Sequence, residues 1–567
     1  MRVSKKNGLY FKLFVGGLLL FFAAGAAPAQ QAASLEGYSL YGALKKFELQ
    51  GKASVNSLVL KRDRAEMVFT GDFYFAAPVN ERITGAVFIG SGTFSAAPPA
   101  ELPFEQENLI RFLNDEIADS DFKTAVLRFS DDTFYALSRT YDAGAPPPPD
   151  ALSLAAEFES RLMEETGANI SSRLLISMLN KESPGFFLAQ FDKGRRGRFT
   201  FIQDPQTRIP QSAFGINGGE KVLLFTYAPY SYVNDIWIAT YSEEDFKNKQ
   251  ILYSDVFDLV SPRHYEMQID LRSARKVLRT EMRIDFECSA RALRVLPMRL
   301  NQDLGAFDDK RRKDSMRLKS AKYDGRELEF VQEEWEKGLA IILPRPFQKG
   351  EEFSLELLLE GDVISDQRIL ENCYYPQSNT DWYPTHGYLK RSTFDMTFRH
   401  DRHDVVSASG KLIREAEPWP GSKKDRLTQF KMNQPVSFVT FAAGLIERHS
   451  EKRKLEFGEM TLDFYSLPTG VATIKESFVL AELGNCLNYF SAYFGAYPYD
   501  AFKAVIHPFT YGQGIATQLM IPPADKANRL VYKFLAHETS HQWWGNLVAW
   551  RSYRDQWLSE GFAEYSG

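Results

Sequence analysis

At 567 residues the chain is too long for one hydrophobic core, so several domains are expected. Apolar residues make up 44% and aromatic residues 14%, which excludes a disordered or collagen-like chain, and the abundance of Phe and Tyr leans towards β structure. The formal net charge of -5 leaves no basic excess to neutralise a phosphate backbone, so nucleic acid is not expected as a partner.

Arg2, Lys5 and Lys6 precede an apolar run from Leu13 to Ala27, and Ala27-Pro28-Ala29 offers a small-residue cleavage site. Residues 1–29 therefore read as a secretory signal peptide, and the protein is expected to be exported, to a periplasm or outside the cell. An uncleaved anchor helix is the alternative, but the run is shorter than the ~20 apolar residues that a spanning helix needs. No later stretch is long enough, so no stable membrane span is expected after cleavage.

From residue 30 to 260 strand-like pieces alternate with turn signals: Met67-Val68-Phe69, Phe73-Tyr74-Phe75, Val126 to Phe129 and Val222 to Tyr227. One helical stretch interrupts them. It opens with Asp150 as a candidate N-cap after the run Pro146 to Pro149 and sets Leu154, Phe158 and Leu162 at i, i+4, i+8. The proline run reads as a subdomain joint. Asn169-Ile170-Ser171 has the form of a glycosylation sequon, a triplet that is common by chance. No chemical constellation stands out, and a β-rich accessory domain is expected.

In residues 261–458 the alternation sharpens. Tyr265, Met267, Ile269 and Leu271, then Met282, Ile284, Phe286 and Cys288, are apolar at period two, the pattern of half-buried antiparallel strands. Lys310 to Lys313 reads as a solvated loop, and Asp324-Gly325 as a hairpin turn. Phe353, Leu355, Leu357 and Leu359, then Phe394, Met396 and Phe398, continue the alternation in a second, antiparallel β domain. Cys288, Cys373 and Cys486 lie too far apart for a zinc knuckle, and buried free thiols are expected.

Residues 459–567 change period. Ile474 to Phe490 suits a helix ending before Gly495, and Leu530 to Trp544 suits another stopping at Gly545-Asn546, so a mainly helical domain is expected. In the second helix His537 and His541 are one turn apart, which sends both imidazoles from one face towards a single ion. Zinc needs a third protein ligand and a free position for water, and Glu560, in Gln556-Trp557-Leu558-Ser559-Glu560-Gly561, is far enough on for a turn and a second helix to intervene. Glu538, beside the first histidine, can take a proton from a metal-bound water. Glu564, one turn beyond Glu560, is either a support for the ligands or simply exposed.

The stretch His537-Glu538-Thr539-Ser540-His541-Gln542-Trp543-Trp544-Gly545-Asn546, with Trp557-Leu558-Ser559-Glu560-Gly561-Phe562-Ala563-Glu564-Tyr565, resembles the zinc helices of the gluzincin aminopeptidases typified by aminopeptidase N. Tyr493-Phe494-Gly495 and Tyr497-Pro498-Tyr499 resemble the entrance of that family's catalytic domain. The resemblance covers residues 262 to 567 and is strongest in the last third. It implies a saddle-like antiparallel β domain followed by a thermolysin-like catalytic domain, one Zn2+ ion held by His537, His541 and Glu560, Glu538 as general base, and peptides as substrates.

Two departures limit it. Where the family anchors a substrate's amine with Gly-x-Met-Glu-Asn, this chain reads Gly512-Gln513-Gly514-Ile515-Ala516, with apolar Ile515 in the glutamate's place. An ammonium group without that carboxylate forgoes a charge-assisted hydrogen bond commonly worth ~1.5–3 kcal/mol. Gly512, Gln513 and Gly514 could instead offer a backbone edge to which an extended peptide adds as a strand, or form a plain turn. Pro376-Gln377-Ser378-Asn379-Thr380 aligns loosely with the family's other amine-binding glutamate. The second departure is the family's oxyanion-stabilising tyrosine, expected several dozen residues beyond Glu560; since the chain stops at Gly567, an incomplete catalytic domain within a longer protein is expected. The leading reading is an exported zinc metallopeptidase. The alternatives are a zinc hydrolase with a non-aminopeptidase substrate and a catalytically vestigial peptide-binding protein.

Overall fold

The computed structural model describes residues 29–209, 219–228, 233–249, 257–272, 277–300, 316–361, 364–365, 373–376, 381–468, 474–507, 511–524, 526–551 and 553–567. Residues 1–28 of the signal segment, the charge run Lys310 to Lys313, and Gln377 to Thr380 lie outside the described residues. Among the described residues no helix is long and apolar enough to cross a membrane.

The first part of the chain forms an eight-stranded antiparallel sheet whose strands follow one another in sequence order, from Leu49–Arg62 to Val233–Thr240. Side chains alternate between its two faces. Phe73 and Phe75 join a phenylalanine-rich cluster with Phe69, Phe88 and Phe122 on one side. Tyr74 and Ala76 face helices on the other, where Phe158, Leu162, Leu174 and Leu175 are buried.

This part holds more helix than its sequence pattern announces. Besides Pro149–Thr166, helices span Ala29–Lys46, Pro103–Leu113 and Ile170–Leu179. Ile170–Leu179 buries residues all round, so it lacks the one-sided apolar period by which a surface helix is recognised. The Pro149–Thr166 helix is capped by Pro148 without a side-chain bond, and Asp150 sits in its first turn, where a carboxylate suits the helix dipole. The proline run leads into that helix and separates no subdomains, because the strands on either side, Ala118–Phe129 and Phe187–Asp192, are paired neighbours. Asn169 of the sequon is buried: its side chain accepts from Ser172 N and donates to Glu336 Oε2 at 2.9 Å and to the Tyr41 hydroxyl at 3.2 Å, so it is closed to glycosylation.

The second β region is built on another eight-stranded sheet. Leu278–Cys288 lies between Val260–Asp270 and Glu352–Gly361, antiparallel to both, with every second side chain buried. The pairing is not antiparallel throughout, since Val260–Asp270 runs parallel to Ser392–Asp401. Asp324 and Gly325 both take positive φ at the tight turn between Arg317–Tyr323 and Arg326–Glu327. Val295, Val331, Ala340 and Ile342 share a core with the N-terminal helices, so the two regions are packed together. All three cysteines are buried free thiols.

The last region pairs helices with a five-stranded mixed sheet in the order Glu447–Leu455, Gly458–Ser466, Phe502–Ile506, Gln518–Ile521, Gln513–Ile515. The short strand Gln513–Ile515 forms one edge and lies against the helix Arg529–Ser540. Glu476–Phe494 ends at Gly495, as its sequence predicts. The chain is thus multidomain, β-rich in its N-terminal part and helical towards its C-terminal end.

Candidate metal centre

Asn528 starts the histidine helix by accepting the backbone N–H groups of Leu530 and Val531 at 2.9 and 3.1 Å. The helix ends earlier than its apolar pattern suggests: Ser540 is its last residue and His541 its C-cap. Gln542 and Trp543 then bond back to Thr539 and Ser540 at i to i-3, tightening the final turn. Trp543 is drawn into an aromatic nest with Phe490, Phe494 and Tyr497, its Nε1 donating to Gly495 O at 3.1 Å. The Tyr493 to Tyr499 segment therefore anchors the end of the histidine helix.

The Nε2 atoms of His537 and His541 stand 3.2 Å apart, and Glu560, on the helix Trp557–Ser566, approaches them at 3.5 Å and 3.7 Å. A tetrahedral zinc ion with bonds of about 2.0–2.2 Å places its ligand atoms roughly 3.3–3.5 Å apart. The His537–His541 and His537–Glu560 distances match this, and the His541–Glu560 distance is slightly longer. The two Glu560 contacts use opposite carboxylate oxygens, so with one atom per side chain the three groups fall within 4.8 Å of one another.

Tautomers follow from the neighbours. His541 Nδ1 lies 3.0 Å from Trp544 O, which can only accept, so this nitrogen carries the hydrogen and Nε2 offers its lone pair. Ser559 Oγ supports both, 3.2 Å from Nδ1 and donating to Trp544 O at 2.9 Å. His537 Nδ1 faces Glu564 Oε2 at 3.5 Å, and Glu564 is in turn paired with Lys533, which also holds its carboxyl below the usual range. Glu564 is thus placed as a support for His537. The two Nε2 atoms at 3.2 Å need a proton or a cation between them, and a metal ion there would take the place of the His537 proton, so the donor set fits a metal ion. The bond to Glu560 raises the His537 pKa and lowers that of Glu560, while burial lowers that of His541.

Glu538 is buried beside this cluster, and burial pushes its carboxyl up to about 7, against the pull of the His537 ring and the Gly514 N–H. A dication nearby would lower it and leave a carboxylate able to accept a proton. Gly512 and Gly514 explain how the edge strand comes so close. A Cβ on Gly514 would sit 2.4 Å from Glu538 O and 2.7 Å from His541 Cβ, and one on Gly512 would sit 2.5 Å from Glu538 Oε1. Gly514 already gives its N–H to Glu538 and accepts Asn546 Nδ2 at 2.6 Å, so an added strand would have to displace these bonds. Gln513 borders the same cleft.

A cleft of about 440 Å³ opens over the cluster between this region and the second β region. Arg299, Asp381 and Tyr383 line it from the β side, and Ile515 and Trp550 from the other. No local motif marks the β-side residues. Gln542, which ties Ile515 O at 2.9 Å and Thr517 N at 2.8 Å to the helix end, and Asn546 lie within the motif itself, next to the ligands.

The family model for the peptidase family M1 domain matches residues 480–567. Aminopeptidase N of Bos taurus is 25% identical over 256 residues, covering 40% of this chain and 26% of that protein. The Homo sapiens aminopeptidase N is 26% identical over 189 residues, or 31% of this chain and 19% of its own length. Leucyl aminopeptidase of Saccharolobus solfataricus is 24% identical over 278 residues, covering 44% and 33%. The chain thus spans a third or less of each of these relatives. A crystal structure of an M1 zinc metallopeptidase from Deinococcus radiodurans aligns over 55% of this chain and 69% of its own at 21% identity and a TM-score of 0.44. The chain thus carries a match to the peptidase family M1 domain at residues 480–567 and is similar over part of its length to aminopeptidase N-like proteins.

Proposed function

We propose that the protein is an exported zinc metallopeptidase that hydrolyses peptide bonds in the cleft above His537, His541 and Glu560. The observation that carries this reading is the convergence of the His537 and His541 Nε2 atoms and the Glu560 carboxylate on one point, within reach of a single ion, with a buried carboxyl beside them. One zinc ion bound there would supply Lewis acidity, polarising a scissile carbonyl and lowering the pKa of a water towards about 7. Glu538 accepts the proton from the attacking water and passes it to the leaving amine. Ser559 and the Trp544 carbonyl hold His541 in its ligating tautomer, and Glu564 does the same for His537. The mixed sheet followed by the paired helices supports a thermolysin-like catalytic domain, and the basic and apolar N-terminal segment supports export.

Ile515 favours a substrate that is not held by its free amine. It lies buried at the cleft where a carboxylate would be needed to pair with an ammonium group. The test is a pair of assays on the purified protein, with elemental analysis for zinc: fluorogenic aminoacyl amides against N-blocked, internally quenched peptides, each with and without chelator. One zinc per chain and chelator-sensitive cleavage of the blocked peptides are expected. Bound zinc with neither substrate set cleaved would favour a binding protein, and cleavage of the amides alone would restore a free-amine requirement.

A further inference from the structure

Glu560 is the most weakly anchored of the three ligands. Its side chain is 62% exposed, its helix buries only Ser559 and Ala563 among the described residues, and the N-cap Gln556 makes no side-chain cap bond. The helix therefore depends on the loop that delivers it. That loop is gripped from two sides. On the second β region, the Tyr388 hydroxyl accepts Trp550 Nε1 at 2.6 Å, and Arg391 Nη2 donates to Leu547 O at 2.7 Å.

The other grip comes from the N-terminal region. Arg554, in the short turn Tyr553–Asp555 just before the Glu560 helix, reaches into it. Its Nε donates to Glu220 Oε1 at 2.8 Å, and both Nη atoms lie 3.2 Å from Glu105 Oε1. Its Nη2 also donates to Ala239 O. The carboxylates are prepared for this: Glu105 is 5% and Glu220 0% exposed, and the other Glu105 oxygen accepts Ala239 N at 3.0 Å. Two carboxylates taken out of water beside each other are costly without a shared cation, so the N-terminal region holds a built socket for one guanidinium.

We propose that Arg554 is a positioning residue for the metal centre, and that Glu105 and Glu220 make the N-terminal region part of that centre by fixing the turn from which Glu560 is presented. This rests on the zinc reading above, and it gives residues 30–260 a role that their sequence alone does not suggest. Zinc affinity, and not turnover alone, then depends on a contact between segments more than three hundred residues apart in the chain.

The test uses the full chain. Zinc affinity is measured by competition with a chromogenic chelator for the unaltered protein, for Arg554→Met and for the double variant Glu105→Gln/Glu220→Gln, which keeps the socket's shape. Circular dichroism confirms that each variant is folded. Supporting residues around metal ligands typically contribute ~10–100-fold to affinity, so a loss of at least about 10-fold is expected in both variants. Each change is then repeated with Glu560→Gln, where no third ligand remains to be placed and the further loss should shrink to less than about twofold. Unchanged affinity in the first comparison, or an equal loss in both backgrounds, overturns the proposal. If the unaltered protein takes up no zinc, the metal reading falls and this one with it; uptake that ignores Arg554 overturns this one alone.

Discussion

Replacing Gly514 by alanine tests whether the edge strand and the histidine helix form one rigid unit. The added Cβ would lie 2.4 Å from the Glu538 carbonyl oxygen and 2.7 Å from His541 Cβ, neither of which is the free end of a flexible side chain. Relief to an ordinary contact near 3.5 Å needs a movement of about 1 Å. The strand cannot simply retreat, because Asn546 ties Gly514 O, and Gln542 ties Ile515 O and Thr517 N, to the end of the same helix. The strain should therefore appear as overpacking, costing roughly 1–3 kcal/mol of stability. It should also displace Glu538 and His541, and a misplacement of 1 Å costs about 100-fold in rate. Gly512→Ala separates the two effects. Its Cβ would meet Phe534 Cζ at 2.1 Å and Glu538 Oε1 at 2.5 Å, both ends of side chains, so rate should fall with a smaller loss of stability. Gly561→Ala is the control: its nearest neighbour is 3.7 Å away, and alanine inside a helix should gain about 0.5–1 kcal/mol. Urea titrations and turnover of the blocked peptide read all three. A Gly514→Ala protein with full stability and full rate would refute the close approach.

Glu538→Gln should retain zinc and lose turnover, whereas His541→Ala should lose the metal, as elemental analysis will show; activity in the first variant would refute the assigned base. Ser559→Ala removes one of the two groups that orient His541 and should weaken zinc binding by about 10-fold in chelator competition, without abolishing it. Glu336 supplies a pH signature away from the metal. Burial pushes its carboxyl from an ordinary 4.5 up to about 8, so the stability due to this group is complete below pH 4.5 and is lost as pH rises towards 8. Glu336→Gln, still able to accept from Asn169 Nδ2 and Glu333 N, should flatten that decline in the urea midpoint and be the more stable protein at pH 8; an unchanged slope would contradict it.

The features legible in the sequence are those set by short-range geometry. Residues four apart share a helical face, so the spacing of His537 and His541 is enough to pair them. Period two likewise marks Leu278–Cys288, whose side chains alternate between core and solvent. Where a residue's surroundings come from elsewhere in the chain, local pattern fails. The apolar run to Trp544 has a helical period throughout, yet Trp543 is captured by Phe490, Phe494 and Tyr497, and the helix closes at Ser540. Asn169 has the sequence signature of a surface acceptor but is buried between Tyr41 and Glu336. Arg554 carries no signal at all in its own neighbourhood, because its meaning lies in Glu105 and Glu220, brought to it by an eight-stranded sheet that is itself built from unremarkable alternation. The same distinction separates the two halves of the candidate site. The atoms that would hold a metal are written in one short stretch and its sequel, while the cleft wall at Arg299, Asp381 and Tyr383 exists only once the β region is folded against it. The make-up of that wall is therefore the property that a motif can say least about.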